Sequence, residues 1–440
     1  MASLNAVAER PAQQIGHVNL VYHPIEDLDH LRATAQLAIE VEFTTIPAYL
    51  SALYSLKDVS SDAYQVLRSV VVEEMFHMNQ AANLLIGIGG KPLFTGRAVP
   101  RYPTYLPSAR KTATPYVGLF RASQAVFEDV FMAIETPAPW SAPAEGRNYQ
   151  TIAQLYRALE EGIERCVEKY GAAAVFKQLP DTRQRDDIYI GKFGGRAVEV
   201  RDLDSARFAI LQIVQQGEGA VDPTRTLVPE QPFGAYQHYG MRLDGTYGPI
   251  LGTPFELSHY FKFKGIAEKN AVGETYPSAS NPRVTDFTNP KARDLATLFN
   301  KYYSVTVRSL EQVFAVTKDN RDVYFEVTLP LMHAHLPRIA RSLVTTPMTS
   351  LGDPVVGPNA APTFEFDATA RMSDLIAAMR QRPVARHAAL LAAAVAGSPA
   401  TADQRTAAVV HDRETAEAFD RLADELVELQ RRAAAAGVDL

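Results

Sequence analysis

Six residues of this sequence have the types and the spacing to hold metal ions: Glu42, Glu74, His77, Glu218, Glu256 and His259. They form one pattern used twice. Glu42 is followed on the next apolar segment by Glu74-x-x-His77, and Glu218 is followed by Glu256-x-x-His259. On a helix, residues three apart are neighbours, so a Glu and a His at that spacing reach one ion together. Four helices packed antiparallel around these groups would gather four carboxylates and two imidazoles. Such ligands suit iron or manganese, and no soft thiolate set competes with them. Two divalent ions sharing carboxylates bind dioxygen or peroxide and drive two-electron oxidation, so the partners expected are one of these oxidants and a small-molecule substrate.

The elements that must position these residues are legible in the hydrophobic periodicity. With Glu42 as zero on a helical wheel of about 100° per residue, Leu28, Leu31, Ala35, Ala38, Ile46, Tyr49, Leu53 and Leu56 all fall within roughly 40° of it. Glu42 thus sits mid-stripe on the face that must meet the core, while Glu40 points the opposite way. Around Glu74, the residues Ala63, Leu67, Val70, Met78, Ala81, Leu85 and Ile88 cluster in the same manner. His77 lies on the flank of that face, and Glu73 points sideways. A carboxylate in the middle of an apolar stripe is costly unless it is paired or bound to a metal. A buried ion-pair network is the competing reading of Glu42, Glu74 and His77.

The second half of the pattern carries its own structural alternatives. Glu218 is bracketed by Gly217 and Gly219, which suits a helix cap or turn and also lets backbone come close to an ion. Thr253-Pro254-Phe255-Glu256 matches a capping box with proline in the first helical position, which would give Glu256 a structural role. Glu160 is the fallback for Glu218, whereas Glu161 and Glu164 belong to a solvated face. Tyr49, two turns from Glu42, and Tyr260 stand where they could act beside the metals or simply pack. His77 or His259 could also be axial ligands to haem, although nothing in the sequence attaches haem.

The chain has 440 residues, 47% hydrophobic and 21% charged, a soluble globular composition. A net charge of -6 and a pI near 6.0 give no electrostatic case for nucleic acid or an anionic membrane. The single cysteine, Cys166, excludes an internal disulfide and fits a reducing compartment. Met1 to Gln14 has no apolar core of a signal peptide, and no apolar run reaches eighteen residues. A cytoplasmic protein is expected.

Four regions are expected: a tail over 1–27, a helical metal bundle with insertions over 28–270, a linker over 271–290 and a helical C-terminal region over 291–440. Helices are expected at 28–56, 61–88, 123–135, 151–170, 205–216 and from 253 onward. Further ones are expected at 291–316, 319–345, 368–380, 383–396 and 402–436. Pro47 predicts a kink or bulge in the first helix, just after Glu42. A short hairpin is expected around 188–200. His333 and His335, two apart, diverge on a helix and make a poor ligand pair.

Several stretches carry a resemblance. Glu42-Phe-Thr-Thr-Ile-Pro47-Ala-Tyr49-Leu and Val72-Glu-Glu74-Met-Phe-His77-Met-Asn-Gln-Ala-Ala-Asn83-Leu-Leu resemble the ferritin-like domain of the iminophenyl-pyruvate dimer synthase type. Phe131-Met-Ala-Ile-Glu135-Thr-Pro137, Gln216-Gly-Glu218-Gly219 and Ser258-His259-Tyr-Phe-Lys-Phe263 are further similar stretches. The resemblance covers roughly 30–265 and continues faintly through the C-terminal helices. It implies a mainly α protein, a ferritin-like four-helix bundle with long loop insertions and a helical C-terminal region. That domain occurs in enzymes of the violacein and rebeccamycin pathways that oxidatively couple imino acids derived from aromatic amino acids. The resemblance therefore implies an iron-dependent oxidoreductase of specialised metabolism. A metal-binding, storage or structural protein without catalysis is the alternative.

Overall fold

The computed structural model describes residues 23–138, 142–177, 183–186, 196–218, 236–237, 241–242, 257–315, 327–378, 421 and 423–435. Its frame is four helices that close on one another. Helix α1 spans Leu28–Ser55 and α2 spans Asp62–Gly87. After a long connection, a short helix α3 runs through Gln124–Val126, a π turn at Phe127–Phe131 and Met132–Ile134. Helix α4 is Ile152–Tyr170, α5 is Leu203–Gln216 and α6 is His259–Glu268. α1 packs on α2 and α4, α5 packs on α2 and α4, and α6 packs on α2 and on the π turn of α3.

Local chemistry sets where these helices start. Asp27, Ser61, Thr151 and Asp202 each accept a hydrogen bond from the backbone N–H three residues on. Each such cap is worth about 1 kcal/mol. α2 stops at Gly87, and Gly89 follows with φ +77, a conformation that favours glycine. The buried side chains of α1 and α2 extend beyond the expected stripe to almost the whole circumference, so both helices are central to the core.

Polar residues on α2 also anchor the segments that bring α5 to it. Asn79 and Asn83 donate to the carbonyl of Arg185, at 3.0 and 2.9 Å, and Asn83 Oδ1 accepts from the Arg185 N–H at 2.7 Å. Gln80 Oε1 accepts from the Val198 N–H at 3.0 Å. All three α2 side chains are buried, so these contacts replace water and hold the strands of loop in one register.

Beyond the bundle, α7 spans Pro290–Ala315, and a π turn at Leu331–His335 leads into α8, Leu336–Val344. α8 packs on α7 and on α1. The segment 271–290 is tied to the bundle: the Tyr276 N–H donates to Ser55 O at 2.7 Å and the Asn281 N–H to Leu119 O at 2.8 Å. Arg341 also donates to Leu56 O at 2.8 Å. Residues 421 and 423–435 are helical and bury Ala423, Leu426, Leu429 and Ala433. The mainly α class follows as expected, and among the described residues no helix is long and apolar enough to cross a membrane.

Several local expectations need correction. α1 runs unbroken through Pro47, without the expected bulge; the π turn lies instead in α3, just before Glu135. The helix expected from 253 begins at His259, because Ser258 is extended at φ -66, ψ 164. Most of the hairpin expected at 188–200 lies outside the described residues, and its described part, 196–200, forms no strand. The ladder among the described residues instead pairs Tyr236–Gln237 with Met241–Arg242. The tail over 1–22, Trp140 and the helix expected at 383–396 lie outside the described residues.

Candidate metal centre

Glu42 on α1 and Glu74 and His77 on α2 are all buried to within 2% of complete. Regular helices explain their convergence: both segments place these residues on the faces by which α1 and α2 meet. Glu218, just past the end of α5, and His259, the first residue of α6, join them. The sixth member is Glu135, 2% exposed, at the C-terminal end of α3.

Glu74 is central. Its Oε1 lies 2.8 Å from His259 Nδ1, and its Oε2 lies 4.0 Å from His77 Nδ1. Glu42 Oε2 is 3.7 Å from the same nitrogen of His77. Glu135 Oε1 is 3.5 Å from Nδ1 of His259. The rings of the two histidines stack with centroids 5.2 Å apart. Two equivalent corners result, one of Glu42 and His77, the other of Glu135 and His259, with Glu74 offering one oxygen to each. Among the described residues, Glu74, His77 and His259 bring one ligand atom each to within 4.8 Å of one another.

A shell of donors and acceptors fixes these groups. Tyr156 donates to Glu42 Oε1 at 2.6 Å, Tyr49 to Glu135 Oε1 at 2.5 Å and Thr45 to Glu74 Oε2 at 2.9 Å. Both imidazoles turn Nδ1 inward and Nε2 outward. His77 Nε2 meets Gln216 Oε1 at 3.0 Å, and His259 Nε2 meets Glu73 Oε2 at 2.8 Å. Glu73, wholly buried, is in turn ion-paired to Lys262. The backbone N–H of Ala153, in the first turn of α4, donates to Glu218 Oε1 at 2.7 Å, where the helix end favours an anion. Gly217 lies beside the site: a Cβ there would meet Glu135 Oε2 at 3.5 Å and His77 at 3.7 Å, ordinary contact distances. Tyr49, Phe127, Phe131 and Phe263 pack edge to face beside Glu135 and keep water out.

The electrostatics are those of an anionic pocket. Burial, with the neighbouring Glu135 and Glu42 charges, pushes the Glu74 carboxyl well above its usual range. Burial likewise raises Glu218, assisted by Glu135 and Glu42. Burial also opposes ionisation of Glu42 and Glu73, but His77 outweighs it for the first and Lys262 with His259 for the second, so both are lowered. His259 is driven well above its ordinary value: burial pulls it down, and Glu135, Glu73 and Glu74 overcome that. The phenols of Tyr49 and Tyr156 are raised by burial and by the surrounding carboxylates.

These groups fit a pair of divalent cations. Lys262 balances Glu73, and the four remaining carboxylates carry the charge that two such ions neutralise. Glu218 Oε2 and both ring nitrogens of His259 are buried, yet none makes a properly aligned hydrogen bond. The short His259 contacts with Glu73 and Glu74 are thus distances without hydrogen-bond geometry, as expected of donors arranged about something else.

Of the six residues singled out in the sequence, five are brought together and Glu256 lies outside the described residues. Since His259 opens its helix, it does not share a helical face with a residue three before it. Glu135, which the spacing argument did not single out, stands among these carboxylates, 3.5 Å from His259. The fallback Glu160 is excluded: it is half-exposed and pairs with Arg207 at 3.5 Å. Tyr260 is half-buried against Phe261, away from the carboxylates, whereas Tyr49 contacts one of them. Cys166 is buried core, as expected. His333 is exposed and His335 buried, so the two diverge.

Comparison with known proteins gives the same frame. Residues 35–268 match the Ferritin-like family. The dichlorochromopyrrolate synthase of Lentzea aerocolonigenes is 27% identical over 243 residues, taking in 51% of this chain and 21% of that enzyme. The crystal structure of a ferritin-like protein from Caulobacter vibrioides superposes with a TM-score of 0.53 at 19% identity, covering 78% of this chain and 100% of that one. That likeness speaks to the fold.

Proposed function

This chain belongs to the Ferritin-like family, and from that premise we propose that it is a metal-dependent oxidoreductase that holds two iron ions. The ligands are Glu42, Glu74, His77, Glu135, Glu218 and His259. The observation that carries this reading is Glu74, wholly buried between two imidazoles, with one oxygen toward each. A carboxylate in that position is unfavourable alone and apt as a bridge. Manganese suits the same donors. Bound there, a redox-active metal pair supplies two-electron oxidation with dioxygen or peroxide.

The chain's own residues supply positioning and proton control. Tyr156 and Tyr49 hold a proton against Glu42 and Glu135, and each keeps its carboxylate from swinging freely. Gln216 fixes the ring orientation of His77, and Glu73 lies against the outer nitrogen of His259. The aromatic wall of Phe127, Phe131 and Phe263 lowers the local dielectric and excludes water from the pocket. The 5.2 Å stacking of the two imidazoles leaves no room for a haem between them.

The substrate we propose is a small amino-acid-derived molecule, and the reaction an oxidative coupling of imino acids. Support comes from the relative named as a dichlorochromopyrrolate synthase and from the resemblance of the Glu42 and Glu74 segments to the dimer-synthase domain. The shared region is a fifth of that relative. The test is anaerobic loading with Fe(II), metal analysis, and then dioxygen uptake with imino acids made from aromatic amino acids. About two ions per chain and substrate-dependent uptake are expected. Less than one ion per chain contradicts the reading. Iron oxidation without substrate turnover favours a storage role instead.

A further inference from the structure

Resting on the reading of an aromatic amino-acid-derived substrate given above, we propose that this substrate binds in the cleft between α4 and α5, its ring on α5 and its charged head on α4.

The cleft has a volume of about 630 Å³, within the roughly 300–1,000 Å³ of small-molecule sites. Its two walls differ in chemistry. α5 contributes Phe208, Leu211 and Val214, which recur every three residues along one side of the helix. Phe208 and Leu211 stay 42% and 40% exposed, although the same helix buries Ala206, Ala209 and Ile213. An exposed phenyl ring beside a leucine offers a surface to a flat apolar group. α4 contributes the charges: Arg157, Glu160, Glu161 and Glu164.

The two signs interleave along that wall. Arg207 of α5 pairs with Glu164 and, at 3.5 Å, with Glu160. Glu161 lies 3.7 Å from Arg157 and 3.3 Å from Arg165. Glu160 is thus the least closely paired of the three carboxylates. Partial burial and the neighbouring Glu164 raise its carboxyl, so an added ammonium or iminium would relieve it. Arg157 gives one N–H to Ala142 O at 2.7 Å. Its planar fork of five donors can serve a carboxylate alongside its present partners. A zwitterion with an aryl side chain complements both walls, whereas an uncharged ring or a bare charge complements one.

One end of the cleft abuts the metal centre. Ala138, Ala153 and Val214 line it there. Ala138 lies three residues after Glu135, and Val214 four before Glu218. The Ala153 N–H itself donates to Glu218 Oε1 at 2.7 Å. Glu160 stands two turns along α4 from Ala153, about 10 Å at 1.5 Å per residue. A head held at Glu160 therefore leaves the rest of the molecule lying toward the ligands.

The experiment is a calorimetric titration of the metal-free full chain with L-tryptophan, tryptamine and indolepropionate, which carry both charges, the cation alone and the anion alone. L-tryptophan should bind about tenfold or more tightly than either of the others, since each of those lacks one charge-assisted contact. Glu160→Gln should weaken L-tryptophan and tryptamine about tenfold and spare indolepropionate. Arg157→Gln should weaken L-tryptophan and indolepropionate and spare tryptamine. A loss confined to two probes of three is a pattern that misfolding cannot produce. Leu211→Glu, at an exposed position, should weaken all three. L-tryptophan binding no tighter than the single-charge probes overturns the proposal. So does an equal effect of either polar substitution on all probes, or full affinity in Leu211→Glu. Metal content is measured separately. Two ions per chain without L-tryptophan binding overturns this site and leaves the dimetal centre. The expected probe pattern with fewer than one ion per chain supports this site and overturns the centre.

Discussion

Tyr49 donates its hydroxyl to Glu135 across 2.5 Å, joining α1 to the end of α3 over a sequence separation of 86 residues. That contact ties Glu135 to the buried centre, where His259 Nδ1 lies 3.5 Å from the same carboxylate oxygen. It also mirrors the pairing of Tyr156 with Glu42 at the opposite corner.

The ligand assignment gives a direct contrast. Glu135→Gln should lower the metal content of the loaded protein from about two ions per chain toward one. Glu256→Gln should leave it at about two, because His259 opens its helix and Glu135 already supplies the carboxylate beside it. Metal analysis of the two purified variants checks both arms. Equal losses in the two would mean that Glu256 is also a ligand.

Removing either tyrosine hydroxyl tests the shell around the ligands. Tyr49→Phe and Tyr156→Phe each leave a buried carboxylate short of one donor. The cost in the metal-free protein is about 1–3 kcal/mol, measured by denaturant unfolding. In the loaded protein the metal compensates the carboxylate, so the loss should be smaller. An equal loss with and without metal would argue that the tyrosines serve the core alone.

The metal-free protein should have a distinctive pH dependence. Glu74, Glu218 and His259 have raised folded values, so the stability they contribute is complete below their usual ranges and is lost as pH rises through the raised ones. Glu42 and Glu73 have lowered values and act with the opposite sign: their contribution is present above the usual carboxylate range and lost in acid below it. Thermal unfolding of the chelated protein should therefore show stability declining from mildly acidic pH upward. Loading should reverse the trend, because ligation requires deprotonated carboxylates. A metal-free protein that grows more stable from mildly acidic to alkaline pH would contradict this balance of charges.

Metal should also stabilise the fold outright. At free metal 100-fold above its dissociation constant, a single site adds about 2.7 kcal/mol. A chelator that left the melting temperature unchanged would indicate that the charged groups satisfy one another without an ion.

How much of this was legible in the sequence depends on how regular each element is. Glu42, Glu74 and His77 lie in uninterrupted helices, where a period of about 3.6 residues holds and a carboxylate on the apolar stripe stands out. Glu135 was invisible to the same argument. It follows a π turn, which takes up an extra residue and breaks the period between Phe127 and Phe131. The signal that would have found it was the similar stretch ending in Glu135-Thr-Pro137, where a carboxylate closes a helix beside a proline.

His259 was found through a spacing that its helix does not use. The pairing with Glu256 assumed a helix from 253, whereas the extended Ser258 places His259 in the first turn. Its position in the centre comes instead from α6 packing on α2 and on the π turn of α3. Glu73 shows the same limit. The wheel put it off the centre of its stripe, correctly, but periodicity along one helix does not reveal that a second helix will bring Lys262 and His259 to that flank. Long-range partners of this kind are set by tertiary packing.

The central claim is that Glu74 bridges two metal ions, and anomalous diffraction from crystals of the metal-loaded protein tests it most directly. The account predicts two peaks about 3.5–4 Å apart, one beside His77 and Glu42, the other beside His259 and Glu135, with Glu74 between them. A single peak, or metal bound only away from Glu74, would contradict it.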